Sequence, residues 1–423
     1  MTWPAPAREL DEAERIRDRE HGAALAREWV ERHRPGLSVR STTTHSLLYR
    51  GPAEMTARVT AELGAPGHPD HSVESTTLLV RVRGGATSIA PFPSDPDLPT
   101  LATMLDPRHA LHVLMRDAPE LSMQLSRRPG LRCDAAVVHH PRTGACVVRY
   151  DISGSEGVLR RVYAKVYSSA TQARSSAAAH GAVGGRMLRG APTVRLPRLL
   201  GLDLDTRTVF IESLGPSDPP RTGVTPQEAA RVLRTVHETP APPGLPEMGL
   251  QDEVGRVRTE LAVVRTRWPE LADEVEVHVD AVAESLQQGT AATSVLSHGD
   301  FTPAQLLRVT PDVIGLIDLD TLTRAEPAVD LGRFLAYSTL RQARFESPGR
   351  PVGGRASDAV CALRHEVLCA YGPLRGDGDL ARVHAQERVQ LALIALRATR
   401  RFKEERARLA LALLDHASSR RPT

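Results

Sequence analysis

Residues 297–332 read SHGDFTPAQLLRVTPDVIGLIDLDTLTRAEPAVDLG. His298, Gly299 and Asp300 precede the apolar stretch Leu306-Leu307-Arg308-Val309. Thr310-Pro311-Asp312 has turn chemistry, and Val313-Ile314-Gly315-Leu316-Ile317 has the composition of a short buried strand. The pattern predicts a hairpin that carries Asp300 and Gln305 on the way in and delivers Asp318 on the way out. The three side chains can then meet at one point. Singly, each Asp is most simply a turn residue, because its carboxylate bonds nearby backbone. The ordered set is what points to a site. Asp330 is expected to hold the loop by bonding backbone or His298, and Asp320 to touch a metal or, more simply, to be solvated.

Phosphoryl transfer from a nucleotide needs this set. One carboxylate holds the acceptor hydroxyl and takes its proton, while a second carboxylate and a neutral oxygen donor hold Mg²⁺ on the phosphates. The stretch resembles the catalytic core of the aminoglycoside phosphotransferase and choline kinase-like family. That family's pattern is H-G-D, four residues, then N; a strand ending in I-D; then a D-P-x-x-D-L-A-like segment. Here it reads His298-Gly299-Asp300, Gln305, Ile317-Asp318, and Glu326-Pro327-Ala328-Val329-Asp330-Leu331-Gly332. Gln305 stands where the family has Asn, which keeps the amide oxygen one methylene further out. The resemblance implies Asp300 as the catalytic residue, Gln305 and Asp318 as the Mg²⁺ ligands, and ATP or GTP as phosphoryl donor.

Composition narrows the alternatives. The 423 residues suffice for two or three structural units, and net charge is only +3. No basic block stands out and aromatics are 4%, which argues against a nucleic-acid partner. None of the four cysteines forms a C-x-x-C pair. The N-terminus is charged from its first residues and no apolar run approaches the ~18 residues of a membrane span, so no membrane partner and a cytoplasmic location are expected.

Residues 1–130 are expected to form an N-terminal extension capping an upper lobe. Ala7–Arg34 has helical spacing and stops at Pro35-Gly36. Ser46–Tyr49 and Thr76–Val82 have strand composition, with a short helix expected at Met55–Leu63 between them. Ile89–Pro93 begins a proline-rich connection, and Leu98–Leu114 has helical spacing.

Residues 131–215 are expected to form a nucleotide-binding lobe, with strand candidates at Arg132–His139, Cys146–Ile152 and Arg161–Tyr167. Lys165, inside the third, is the candidate for the phosphates. By the resemblance, Arg142, Thr143 and Gly144 form a turn over the phosphates. Thr208–Gly215 resembles the hinge, with Glu212 and Leu214 as adenine-edge positions reached through backbone. The family pairs its lysine with a Glu on the next helix, yet 166–202 contains no Asp or Glu. His180 or Gln172 are the candidates to replace it by hydrogen bonding.

Residues 216–423 are expected to form the catalytic and acceptor-binding lobe. Thr225-Pro226-Gln227-Glu228 is a helix start with a capping box. Acids in 247–288 alternate with arginines; facing the cleft they suit a cationic acceptor, and otherwise they form a solvated face. Arg397, Arg400, Arg401 and Lys403 face solvent or an anion. The resemblance implies an α+β, bilobal protein kinase-like fold, with a mixed β-sheet N-lobe, a mainly α-helical C-lobe and an N-terminal extension. It implies transfer of a γ-phosphoryl group to a small-molecule hydroxyl of an aminoglycoside, amino alcohol or sugar. A Ser/Thr peptide acceptor and a non-catalytic binding protein are the alternatives.

Overall fold

The structure, a computed structural model, describes residues 18–52, 54–65, 74–140, 144–155, 157–183, 193–215, 223–288, 293–346, 355–374 and 377–419. Helix α1 (Arg19–His33) leads into an antiparallel meander of β1 (Ser38–Gly51), β2 (Glu54–Gly64), β3 (Glu74–Arg83) and β4 (Ala86–Pro91). Asp18 caps α1 by accepting from the Glu20 backbone N–H. Met55–Leu63 is strand β2 and not the expected helix. Met55, Ala57, Val59, Ala61 and Leu63 are all buried and alternate with half-exposed neighbours, which is a period of two. The alanines, good helix formers in isolation, mask that alternation. Ile89–Pro91, expected as connection, pairs with β3 instead.

Three helices follow: α2 (Leu101–Met104), α3 (Pro107–Asp117) and α4 (Pro119–Leu125). The upper lobe comprises β5 (Arg132–His139), β6 (Cys146–Gly154), β7 (Gly157–Val166), α5 (Ala170–Val183), β8 (Val194–Arg195), β9 (Leu199–Asp203) and β10 (Thr208–Glu212). Its main sheet has the order β5-β6-β7-β10-β9 among the described residues.

The lower lobe runs through α6 (Pro226–Glu238), β11 (Glu247–Met248), α7 (Leu250–Arg265), α8 (Pro269–Gln288), β12 (Val295–Ser297), β13 (Leu306–Thr310), β14 (Val313–Leu316) and β15 (Thr323–Ala325). It ends with α9 (Pro327–Glu346), α10 (Arg355–Tyr371), α11 (Asp377–Arg400) and α12 (Glu404–Ser419). The Thr225–Glu228 capping box starts α6 as its sequence predicts. Leu331, Phe334 and Leu335 of α9 and Leu391–Leu396 of α11 lie at the centre of the largest core cluster. Gly332 lets these two helices meet, since a Cβ there would stand 2.6 Å from Gln386. The architecture is α+β and bilobal, a sheet-rich upper lobe and a mainly helical lower lobe, with an N-terminal extension.

The extension touches both lobes. On the upper side, Thr100 donates to the Thr206 carbonyl at 2.7 Å and the Met104 carbonyl accepts from the Tyr150 hydroxyl at 2.6 Å. On the lower side, the Tyr49 hydroxyl meets Thr266 at 2.8 Å, its carbonyl accepts from Arg400 at 2.8 Å, and its ring stands edge-on to Trp268. No helix among the described residues is long and apolar enough to cross a membrane.

Candidate active site

The predicted hairpin forms. Leu306 pairs with Leu316 and Leu307 with Gly315, and the Ile317 N–H donates to the Gln305 carbonyl at 2.9 Å. That register sets Gln305, at the end of a 3₁₀ turn, beside Asp318. The Gln305 amide lies 3.2 Å from Asp318 Oδ2 and 3.4 Å from Asp300 Oδ2. The three side chains therefore converge.

The loop that presents Asp300 is tightly specified. Gly299 has φ +76°, and a Cβ there would stand 2.2 Å from the Thr321 carbonyl oxygen. Asp318 itself is left-handed at φ 67° and ψ 61°, a conformation Asp tolerates better than most residues but at a cost. Asp330, fully buried, accepts from the backbone N–H of His298 at 2.7 Å and of Gly299 at 2.9 Å. Burial alone would push its carboxyl up. The His237 hydrogen bond and the two nearby histidines outweigh that and hold it below the usual range. His298 completes the brace: Nε2 donates to the Ile317 carbonyl at 2.9 Å, leaving Nδ1 to accept from the Asp300 N–H at 3.3 Å. One imidazole thus spans from Asp300 to the strand that ends at Asp318.

Sequence reasoning missed Arg333. It is buried in the first part of α9, with Nη1 2.6 Å from Asp300 Oδ1 and Nη2 2.9 Å from Glu253 Oε2. Glu253, wholly buried on α7, also accepts from Gln390 on α11 at 2.5 Å and from Arg256 at 2.5 Å. Burial opposes the Arg333 charge, but Glu253 and Asp300 more than offset it. The only sequence signal was an arginine inside an otherwise apolar helical face.

Lys165 lies in β7 and is buried, as its strand position predicts. Two expectations around it are corrected. Gln172 bonds Ser168 and His180 faces the Pro197 carbonyl, so neither replaces the absent Glu. Lys165 instead meets Asp318 Oδ1 at 2.5 Å and Asp320 Oδ1 at 2.9 Å. Burial disfavours its charge, yet the two carboxylates raise its pKa above the ordinary lysine value. Asp320 is accordingly not a solvated residue. It also accepts from the Tyr167 hydroxyl at 2.7 Å and from Ser176 at 2.8 Å.

On the nucleotide side, Gly144 is exposed with φ 97°, while Arg142 and Thr143 lie outside the described residues. Glu212 is committed to its own lobe. Its N–H donates to the Arg198 carbonyl at 2.9 Å, and its carboxylate meets Arg198 at 3.1 Å and Arg195 at 3.2 Å. Leu214 is buried against Gly315, where a Cβ would stand 2.6 Å from Leu214 Cδ1.

Five acids of α7 and α8 are used in ion pairs: Glu253 with Arg333, Glu260 with Arg397 and Arg400, Asp280 with Arg258, and Asp273 and Glu276 with Arg265. Arg397 and Arg400 both pair with Glu260, Arg400 half-buried and Arg397 still exposed. Beside the 302–304 segment lie two clefts that share Pro303, Arg341 and Arg344. One adds Lys403, Arg406, Glu404 and Glu405; the other adds Phe334 and Gln342.

Among the described residues no three His, Cys, Asp or Glu side chains form a ready metal cluster. The Asp318 carboxylate and the Gln305 carboxamide are hard oxygen donors, which suits a small divalent cation that takes its other ligands from phosphate and water. The amide nitrogen that now faces the carboxylates exchanges with the oxygen by a half-turn of the amide. The donor set fits Mg²⁺.

Part of the chain is similar to known proteins. The model of the phosphotransferase enzyme family matches residues 160–366. No curated protein matches the chain. Similar solved structures include the GDP complex of aminoglycoside 2'-phosphotransferase-IIIa (14% identity, TM-score 0.46, covering 74% of this chain and 99% of that one). A choline/ethanolamine kinase family protein from Mesorhizobium loti has 14% identity and a TM-score of 0.47, covering 72% and 95%. A Plasmodium vivax ethanolamine kinase has 10% identity and a TM-score of 0.47, covering 77% and 95%. The span similar to the phosphotransferase enzyme family includes Lys165, the segment after β10, Asp300, Gln305, Asp318 and Asp330.

Proposed function

We propose that the chain transfers the γ-phosphoryl group of ATP or GTP to a hydroxyl of a small molecule. The observation that carries this reading is the meeting of Asp300, Gln305, Asp318 and Lys165 across two lobes. Asp300 holds the acceptor hydroxyl and receives its proton, with Oδ2 turned toward Gln305 and Oδ1 fixed by Arg333. Lys165 places a positive charge against the phosphates. Asp318 and Gln305 would hold Mg²⁺, whose charge offsets that of the phosphates. Leu214 over Gly315 supplies an apolar wall beside the hinge, and Gly144 a turn that lets backbone approach the phosphates. Catalysis of this kind is mostly positioning and charge neutralisation. The four cysteines are free thiols, which suits a cytoplasmic location.

For the acceptor, Glu253, Glu260, Asp273, Glu276 and Asp280 of α7 and α8 are already engaged by arginines. The cleft lined by Arg341, Arg344, Lys403 and Arg406 against Glu404 and Glu405 keeps a cationic excess, which favours an acceptor that carries a negative group beside its hydroxyl.

Nucleoside-triphosphate turnover with Mg²⁺, wild type against Asp300→Ala, tests both points. The acceptor panel should hold aminoglycosides, amino alcohols, sugars, sugar phosphates and Ser/Thr peptides. Acceptor-stimulated turnover that Asp300→Ala reduces by about 10²-fold or more is expected. Folded protein that binds no nucleotide and turns none over refutes the kinase reading. Stimulation by peptides alone moves the acceptor class.

A further inference from the structure

Lys165 has a charge problem its own lobe does not solve. The side chain is 8% exposed, and residues 166–202, which include α5, contain no acid. A buried ammonium without a carboxylate is costly and tends to give up its proton. Both carboxylates that satisfy it come from the lower lobe, and they are not equivalent. Asp318 is 40% exposed and shared with Gln305 at the cleft. Its oxygens are the ones a metal would take.

Asp320 is turned the other way. Each of its oxygens is used by the upper lobe: Oδ2 by the Tyr167 hydroxyl, and Oδ1 by Ser176 of α5 and by Lys165. Tyr167 follows directly on β7, so Asp320 grips the end of the lysine strand, the helix beside it and the lysine itself. Burial pushes its carboxyl up, but Lys165 and the two hydroxyls hold it below the ordinary carboxylate range. On α5, His180 is buried and carries no charge to compete. Burial and the Lys165 charge press its pKa down to about 4, its Nδ1 faces the Pro197 carbonyl at 3.4 Å, and its Nε2 has no partner.

We infer that Asp320 is the carboxylate that keeps Lys165 in its phosphate-binding position, with Tyr167 and Ser176 as its locks. It does from the lower lobe what an acid on the helix after the lysine strand does in the family pattern. With Asp318 engaged as a metal ligand, Asp320 would still hold the lysine. Because Asp320 belongs to the lower lobe, the lysine is correctly placed only while the lobes are docked. Asp320 is thus a positioning residue. Its part in turnover rests on Lys165 serving the nucleotide, as proposed above.

The test has one readout in free protein and one with nucleotide. In nucleotide-free protein at pH 8, Lys165 acylation by an amine-reactive ester is followed by mass spectrometry. Asp320→Asn should raise the Lys165 rate by about tenfold or more, since losing the 2.9 Å contact lets the buried side chain swing out to the reagent. Tyr167→Phe and Ser176→Ala should raise it by less, and they serve in its place if Asp320→Asn does not fold. An unchanged rate in all three overturns the inference. The second readout is steady-state kinetics. Asp320→Asn should raise the nucleotide KM about 10-fold or more and leave the acceptor KM unchanged, and adding His180→Glu should recover part of the loss. An acceptor KM that rises equally, with no recovery, marks a merely structural role and overturns the positioning claim. If labelling responds but wild type binds no nucleotide, the ion pair stands and the phosphotransferase reading falls.

Discussion

Replacing Arg333 by Met probes the network behind Asp300. Met matches much of the arginine's length and removes its charge, so packing is largely kept. Two charge-assisted hydrogen bonds are lost, at 2.6 Å to Asp300 and 2.9 Å to Glu253. Asp300 is 33% exposed and water takes over there, but Glu253 is 0% exposed and keeps its charge. Removing one partner of a buried pair costs about 3–5 kcal/mol. Glu253 retains Gln390 and the half-exposed Arg256, which puts the expected loss near the lower end, about 3 kcal/mol. Glu253→Gln removes the stranded charge, so the double variant should recover about 1–2 kcal/mol relative to Arg333→Met. Urea unfolding of the wild type, both single variants and the double variant measures all four corners. Turnover should fall about 10²-fold in Arg333→Met, because Asp300 loses the contact that fixes its rotation. A single variant costing under about 1 kcal/mol, with no recovery in the double, would refute the buried pair.

Other tests address the frame. Gly299→Ala adds a Cβ 2.2 Å from the Thr321 carbonyl at φ +76°, so it should cost about 2–4 kcal/mol in thermal or urea unfolding; a neutral result contradicts the loop geometry. His180 has a folded pKa of about 4 against about 6.5 unfolded, so below pH 6.5 the unfolded chain binds the extra proton first. Its contribution to stability is full above pH 6.5 and is lost as pH falls toward 4, by about 3 kcal/mol; His180→Leu should flatten that part of the stability–pH curve, and parallel curves would contradict it. Thr225→Ala removes the hydroxyl that accepts from the Glu228 N–H and should cost about 1 kcal/mol in urea unfolding, against no change if the cap is idle.

Much of the site is legible in sequence because it is local. Asp300, Gln305 and Asp318 sit within one hairpin, so strand composition, one turn and one register decide where they meet. The Thr225 cap and the Asp330 brace are legible for the same reason. The partners of Lys165 are not. Asp320 lies 155 positions downstream in another lobe, and no local pattern says that a carboxylate two residues past Asp318 turns toward the lysine. Arg333 is hidden likewise, since Glu253 and Asp300 reach it from separate elements. In β2 the failure has another origin: short alanine side chains satisfy a strand's buried face as well as a helix's, and pairing with β1 and β3 decides between them.

The extension also bears on how the molecule can move. Two bodies joined by a single strand of chain can bend and twist about that joint in several directions. Here the extension adds a second tether, fixed at one end through Tyr49 to Thr266, Trp268 and Arg400, and at the other through Thr100 and Met104 to the sheet. A pair of separated anchors leaves one easy axis, the line that runs through both. Breathing of the cleft is then a swing about that line, like a door on two hinges. Torsion between the lobes is the motion a second anchor resists.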